Sequence, residues 1–355
     1  NRCISVLGWF GIVSLTFSST GLAQQVLPTQ GIITAGSGSI FESGASLSIT
    51  QNTATMSIDW DSFSIGADNR VAFLQPSSTA TALNRVTGVR ASSILGQLDA
   101  NGRVFLVNPN GIVFGPGAAV NVGSLVASTL NVSQQGSDYV FEGESTAGIS
   151  NAGVISAATG GTVGFIAARI ENTGTLTATE GTVALGAGSR VRLSLGGLVS
   201  LEVAEGAIDA LIGQGGAIRA DGGRVYLGAR AAGDIAQTVI NHTGVTQART
   251  LATGTDGEIY LMGDIGNGQI NVAGRLDASA PDGGDGGFIE TSAARVMLEE
   301  GRTVSTQAVF GKTGTWLIDP TDIEIVAGAD DSATNWSASQ VNAGTIAAAL
   351  ASTNV

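Results

Sequence analysis

Along most of the chain, apolar side chains fall on every second position in short runs, and a glycine leads each run. One module, Gly-x-Ile/Leu-x-Ala, stands at Gly96-Leu98-Ala100, Gly153-Ile155-Ala157, Gly174-Leu176-Ala178, Gly206-Ile208-Ala210, Gly216-Ile218-Ala220 and Gly274-Leu276-Ala278. A second, Gly-x-Val/Ile-x-Leu/Phe, stands at Gly102-Val104-Leu106, Gly161-Val163-Phe165, Gly181-Val183-Leu185, Gly223-Val225-Leu227 and Gly257-Ile259-Leu261. Alternation with period two puts Ile, Leu, Val, Phe and Ala on one face of a short strand. The leading glycine supplies the corner.

The clearest adjacent copies, Asn151-Ala152-Gly153-Val154-Ile155 and Asn172-Thr173-Gly174-Thr175-Leu176, are offset by 21 residues. That period fits one solenoid coil of two or three strands, with later, longer spacings absorbed as loops at corners. A propeller would repeat at roughly 40 residues with Trp-Asp words, and Trp60-Asp61 is a lone instance. An antiparallel sandwich would not repeat a corner module. The pattern predicts an all-β chain folded as a parallel β-helix. About ten coils stacked at ~4.8 Å would give a rod roughly 50 Å long. Its first edge would recruit foreign strands unless covered, and residues 24–90, more aromatic and less repetitive, are the expected cap. Ser339 to Leu350 is Ala-rich, with Val341, Ile346 and Leu350 loosely on one face, and predicts a short helix.

Composition sharpens this reading. Of 355 residues, 52 are glycine, charged residues are 13% and aromatics 5%, which suits a thin interior of small and branched side chains. Hydrophobic content of 43% with regular alternation argues against disorder. The net charge of −13, with Lys312 the only lysine, excludes nucleic acid as a natural partner. Residues 1–23 stand apart. Ile4 to Phe17 is an apolar run of secretory length that leads to Gly21-Leu22-Ala23, and it is too short for the ~20 residues of a membrane span. The expectation is a signal peptide whose true start lies upstream of Asn1. Cys3 falls inside it, so the mature chain would carry no cysteine and would be stabilised by packing alone.

Candidate chemistry is sparse. His242, between Asn241 and Thr243, reads as a solvated residue at a corner. The acidic pairs Asp59 with Asp61, Glu299 with Glu300 and Asp330 with Asp331 have no cation grouped with them. Adjacent acids also point to opposite sides of a strand. A glycan-cleaving β-helix remains a distant alternative by fold alone. Asp282-Gly283-Gly284-Asp285-Gly286-Gly287 resembles a calcium-binding nonapeptide once and out of phase, and reads as an acidic loop. Gly311-Lys312-Thr313 lacks the upstream loop of a phosphate-binding site. The sequence supplies no catalytic residue, metal ligand set or cofactor site.

The informative words are others. Asn108-Pro109-Asn110-Gly111 is a tight turn between Gly102-Arg103-Val104-Phe105-Leu106-Val107 and Ile112-Val113-Phe114. Upstream stand Ile58-Asp59-Trp60-Asp61 and Asn84-Arg85-Val86-Thr87-Gly88, and downstream Val120-Asn121-Val122-Gly123-Ser124-Leu125. A later block reads Gly283 to Ser292, then Gly311-Lys312-Thr313-Gly314-Thr315-Trp316-Leu317-Ile318-Asp319-Pro320. In this order they resemble the secretion domain of two-partner secretion exoproteins, the filamentous haemagglutinin family. The resemblance implies a right-handed parallel β-helix with an N-terminal cap, no enzyme activity, and recognition by an outer-membrane β-barrel transporter. It places the secretion motif on Asn108, Pro109, Asn110 and Gly111 and the family signature on Asn84, Arg85, Val86 and Gly88. Two roles are open for the turn, contact with the transporter or support of folding. The second Asn-Pro-Asn-Leu word of some members is missing. The expected organisation is a signal peptide over 1–23, the secretion domain over 24–300, and over 301–355 the truncated start of a longer exoprotein. That exoprotein would be secreted or held at the bacterial surface, meeting host or neighbouring cells through downstream regions. An adhesin leads; a cytolysin or contact-dependent toxin is the alternative.

Overall fold

The structure is a computed structural model that describes residues 26–195, 199–232, 239–252, 256–299, 301–327 and 339–355. The expected signal peptide, Glu300, Asp330 and Asp331 lie outside the described residues.

Three parallel ladders stack along the rod. Among the described residues the first sheet has eleven strands and the second eleven, and in each all but the first strand run parallel. The third has eight, from Ser92–Ile94 to Arg295–Leu298. One coil takes one strand from each: Gly148–Asn151, Val154–Ala157 and Thr162–Ala167, followed by Arg169–Asn172 of the next. Ile155 lies beside Leu176 in the ladder, so the 21-residue sequence offset is one coil of a parallel β-helix. The Gly-x-Ile/Leu module forms the second sheet and the Gly-x-Val module the first. One copy does not belong. Gly206-Ile208-Ala210 makes no ladder strand; Asp209 has φ +54° and Ile208 is 66% exposed. It is the exit from an inserted sheet, where alternation by chance mimics a strand.

Glycine at the corners answers a steric demand. A Cβ on Gly174 would run into the carbonyl oxygen of Gly153, one coil below, and a Cβ on Gly181 into that of Gly161. Backbones that stack at a bend leave no room for a side chain between them. Inward positions form one continuous core of Ile, Leu, Val and Ala, widened at its start by Trp60, Phe63 and Phe73 and in its middle by Phe114 on Phe165, ring centroids 5.6 Å apart.

The first edge is covered by antiparallel strands. Ile32–Ala35 pairs with Thr55–Trp60, and Gly38–Ser43 with Ser46–Gln51. Gly31 lies against the Trp60 ring so closely that a Cβ would overlap it. At the far end the ladders carry on through Thr303–Ser305 and Thr315–Pro320. The expected helix is shorter than its sequence pattern: Ser339–Asn342 is a strand and only Ala343–Ala349 is helical.

The sequence reading did not anticipate a fourth, antiparallel sheet outside the rod. Asn131–Gln135, Asp138–Glu142, Arg190–Ser194 and Ser200–Glu205 form it. Its inner face buries Phe141, Val191 and Leu193 on Phe105, Val126, Ile166 and Ala184, which point outward from the first sheet.

Candidate functional site

The Asn108–Gly111 turn joins strand Arg103–Val107 of the first sheet to Ile112–Phe114 of the third. Gly111 N donates to Asn108 O at 3.1 Å, and Gly111 takes φ +109°, a value only glycine adopts without strain. Asn108 is fully buried and its amide is saturated. Nδ2 donates to Arg90 O and to Ser92 Oγ, both at 2.9 Å, and Oδ1 accepts from Asn110 N and Asn110 Nδ2, both at 3.0 Å. Asn110 Nδ2 also donates to Gly88 O at 2.9 Å, and Ser145 Oγ to Pro109 O at 2.7 Å. Pro109 and Asn110 are exposed.

The upstream word packs against the same corner. Asn84 is buried, accepting from Trp60 Nε1 at 3.0 Å and donating to Phe105 O at 3.2 Å. Val86 is buried, Arg85 is exposed, and a Cβ on Gly88 would meet Asp61 O. Thr87 N and Oγ1 both donate to Trp60 O. Three words separated in sequence therefore occupy neighbouring coils, with Ile58↔Asn84 and Asn84↔Leu106 as ladder partners. What the sequence reading missed here is the loop between them, 87–91, held by both asparagines. Its only signal is an apolar Val89 between Gly88 and Arg90, outside any alternation.

The two later words also adjoin. Lys312 N donates to Asp285 Oδ1 at 2.8 Å, and Phe288–Ala293 pairs with Thr315–Pro320. Both sides are thus parts of one corner and one ladder.

Several of the remaining titratable groups form structural pairs. Arg224 grips Glu258 through Nε and Nη2, and the same carboxylate accepts from Tyr260 Oη at 3.0 Å. Burial raises the Asp221 carboxyl, but hydrogen bonds from Arg249 and Gln247 outweigh it and hold the group below its ordinary value. His242 corrects the expectation of a solvated corner residue. It ends the strand Val239–His242, is fully buried, and pairs through Nε2 with Thr246 Oγ1 at 2.9 Å. Its neighbours in the third sheet, Gln214 and Val272, face the interior too, so the column and not the local sequence decides its environment.

The family model of the TPS secretion domain matches residues 24–278, a span that contains both the Asn84–Gly88 and the Asn108–Gly111 words. The chain belongs to the two-partner secretion domain family. The chain is 40% identical over 122 residues to a heme/hemopexin-binding protein of Haemophilus influenzae, covering 34% of this chain and 14% of that protein. A second protein of the same name from that species is 44% identical over 98 residues, 27% of this chain and 11% of the relative. The chain thus spans a small part of the relatives it matches. Among solved structures, the HMW1 secretion domain from Haemophilus influenzae superposes with a TM-score of 0.60 over 90% of this chain and 98% of that one, at 22% identity. That likeness establishes the shared fold. Two-partner secretion exoproteins are secreted by way of the outer membrane, and the secretion domain of this family implies recognition by an outer-membrane transporter.

Proposed function

We propose that this domain is the export module of a large adhesin-type surface exoprotein, and that the transporter's periplasmic region recognises the corner built by Asn84–Gly88 and Asn108–Gly111. The observation that carries this is the secretion-domain match across residues 24–278, which includes both words. In this reading Asn108 and Gly111 shape the corner from within, while Pro109 and Asn110 lie on its surface. The domain serves export and not catalysis, and contact with host or neighbouring cells belongs to regions downstream of it.

The test is secretion of the full-length exoprotein co-expressed with its cognate transporter. Asn108→Ala strips donors from Arg90 O and Ser92 Oγ in a buried setting, at a cost of about 2–3 kcal/mol. The amount in the medium should fall about tenfold. Secretion at the wild-type level would count against the role given to this turn. A second reading, that the exoprotein binds heme or a heme-carrying protein, is favoured by the names of the two relatives. Titration of the full-length exoprotein with hemin and with hemopexin distinguishes it from a cell adhesin. A cytolytic or contact-dependent toxin would reveal itself as lysis or killing of neighbouring cells.

A further inference from the structure

Among the described residues the most exposed large apolar side chain is Val89, at 89%. A lone exposed valine is ordinary on a protein surface. What sets Val89 apart is how firmly its loop is held. The carbonyls on either side of it are both bound by the turn, Gly88 O by Asn110 Nδ2 and Arg90 O by Asn108 Nδ2, each at 2.9 Å. Thr87 anchors one end of the loop on Trp60 O, and Ser92 N anchors the other on Gly111 O at 2.9 Å. The side-chain amides of Asn108 and Asn110 therefore reach onto this loop, and the apolar side chain they fix faces water.

The charge beside it is equally specific. The chain carries −13 overall, and most of its ion pairs lie further along the rod. Arg90 is exposed and has no ion pair among the described residues, and the same holds for Arg85 three residues before Gly88. Arg90 also lines an open groove of about 570 Å³ with Leu27, Thr29, Glu42 and Ser62 of the cap. An apolar knob next to an unpaired cation, Arg90, on an otherwise acidic molecule, fits an apolar socket rimmed by carboxylates. A loop fixed in advance loses little entropy on docking.

We infer that Val89 and Arg90 are the point of contact with the transporter's periplasmic region, and that Asn108 and Asn110 are positioning residues behind it. This rests on the export reading above. It assigns the secretion motif an indirect part: the turn sets the loop, and the loop is read.

The experiment uses the full-length exoprotein and its cognate transporter in secreting cells. Val89→Asp combined with Arg90→Glu should lower the secreted fraction at least tenfold, while the melting temperature of the purified chain stays within a degree or two. Val89→Ile should be exported normally. A photo-crosslinking amino acid at position 89 should capture the transporter, and the same probe at position 310, where Phe310 is 79% exposed, should not. Asn110→Ala should weaken capture from position 89 without shifting the melting temperature, which a purely structural role would not produce. Wild-type export of the double variant, or equal capture from positions 89 and 310, would overturn the inference while leaving the export reading standing. Retention of the wild-type chain in the periplasm would instead remove the export reading, and this inference with it.

Discussion

Asn151, Asn172, Gln214 and His242 occupy one interior column, each the ladder partner of the next. Asn151 Nδ2 donates to Asn172 Oδ1 at 2.8 Å, and Asn172 Nδ2 to Gln214 Oε1 at 2.7 Å. Amides stacked at the coil spacing satisfy one another in the dry interior, where an unmade bond would cost about 1–3 kcal/mol. His242 ends this run, and burial pushes its pKa down from 6.5 to about 4. Above pH 6.5 neither the folded nor the unfolded chain binds that proton. Between 6.5 and 4 the unfolded chain takes it up and the folded one does not, so stability falls as the pH drops. The penalty levels off at roughly 3 kcal/mol below the folded value. Chemical denaturation from pH 7.5 to 4 should show this slope, and His242→Gln should remove that part of it. A variant with the same pH dependence as wild type would refute the buried placement. The sequence offered Asn241-His242-Thr243 as a polar corner because it shows neighbours along the chain, whereas the partners of His242 come from other coils.

At the scale of elements, the inserted antiparallel sheet is the part the sequence hid. Its clue lay in the strands it covers. Thr162–Ala167 and Thr182–Ala187 are buried at every position, and they read as continuous small and apolar runs, Thr-Val-Gly-Phe-Ile-Ala and Thr-Val-Ala-Leu-Gly-Ala. Continuous runs mark strands buried on both faces, whereas Arg169–Asn172 alternates and has one face in water. Phe141 is the centre of the covering layer, fully buried, its ring 6.4 Å from Phe105. Phe141→Ala should cost about 3–5 kcal/mol. Because this cluster is separate from the core of the rod, the loss should appear locally. Hydrogen exchange should quicken in 131–142 and 190–205 and stay slow in the ladders at 154–167. Uniform acceleration throughout would show that the two layers fold as one.

For the molecule as a whole, each coil contacts its neighbours and little else, so folding can start at one end and propagate. A chain that folds outside the cell coil by coil would resist sliding back, since each added coil removes apolar surface from water. Ser150 and Glu171 are outward ladder partners in adjacent coils, at a spacing of ~4.8 Å that a disulfide can bridge. Ser150→Cys with Glu171→Cys should close a covalent loop in the oxidising periplasm and reduce export several-fold, with recovery on adding reductant. Undiminished export with the disulfide demonstrated would argue that the chain crosses the outer membrane already folded.

Glycine-led alternation and a 21-residue period were enough to determine the class of fold, because a short strand with one apolar face and a corner without room for a side chain can stack in few ways. The family words were likewise legible, since they are local strings. Which of those words meet, that Asn108 and Asn110 turn their amides onto the 87–91 loop, and that His242 is dry were decided only in three dimensions. Those contacts join residues far apart along the chain, and a one-dimensional pattern records a residue's type but not the partner that the neighbouring coil presents to it.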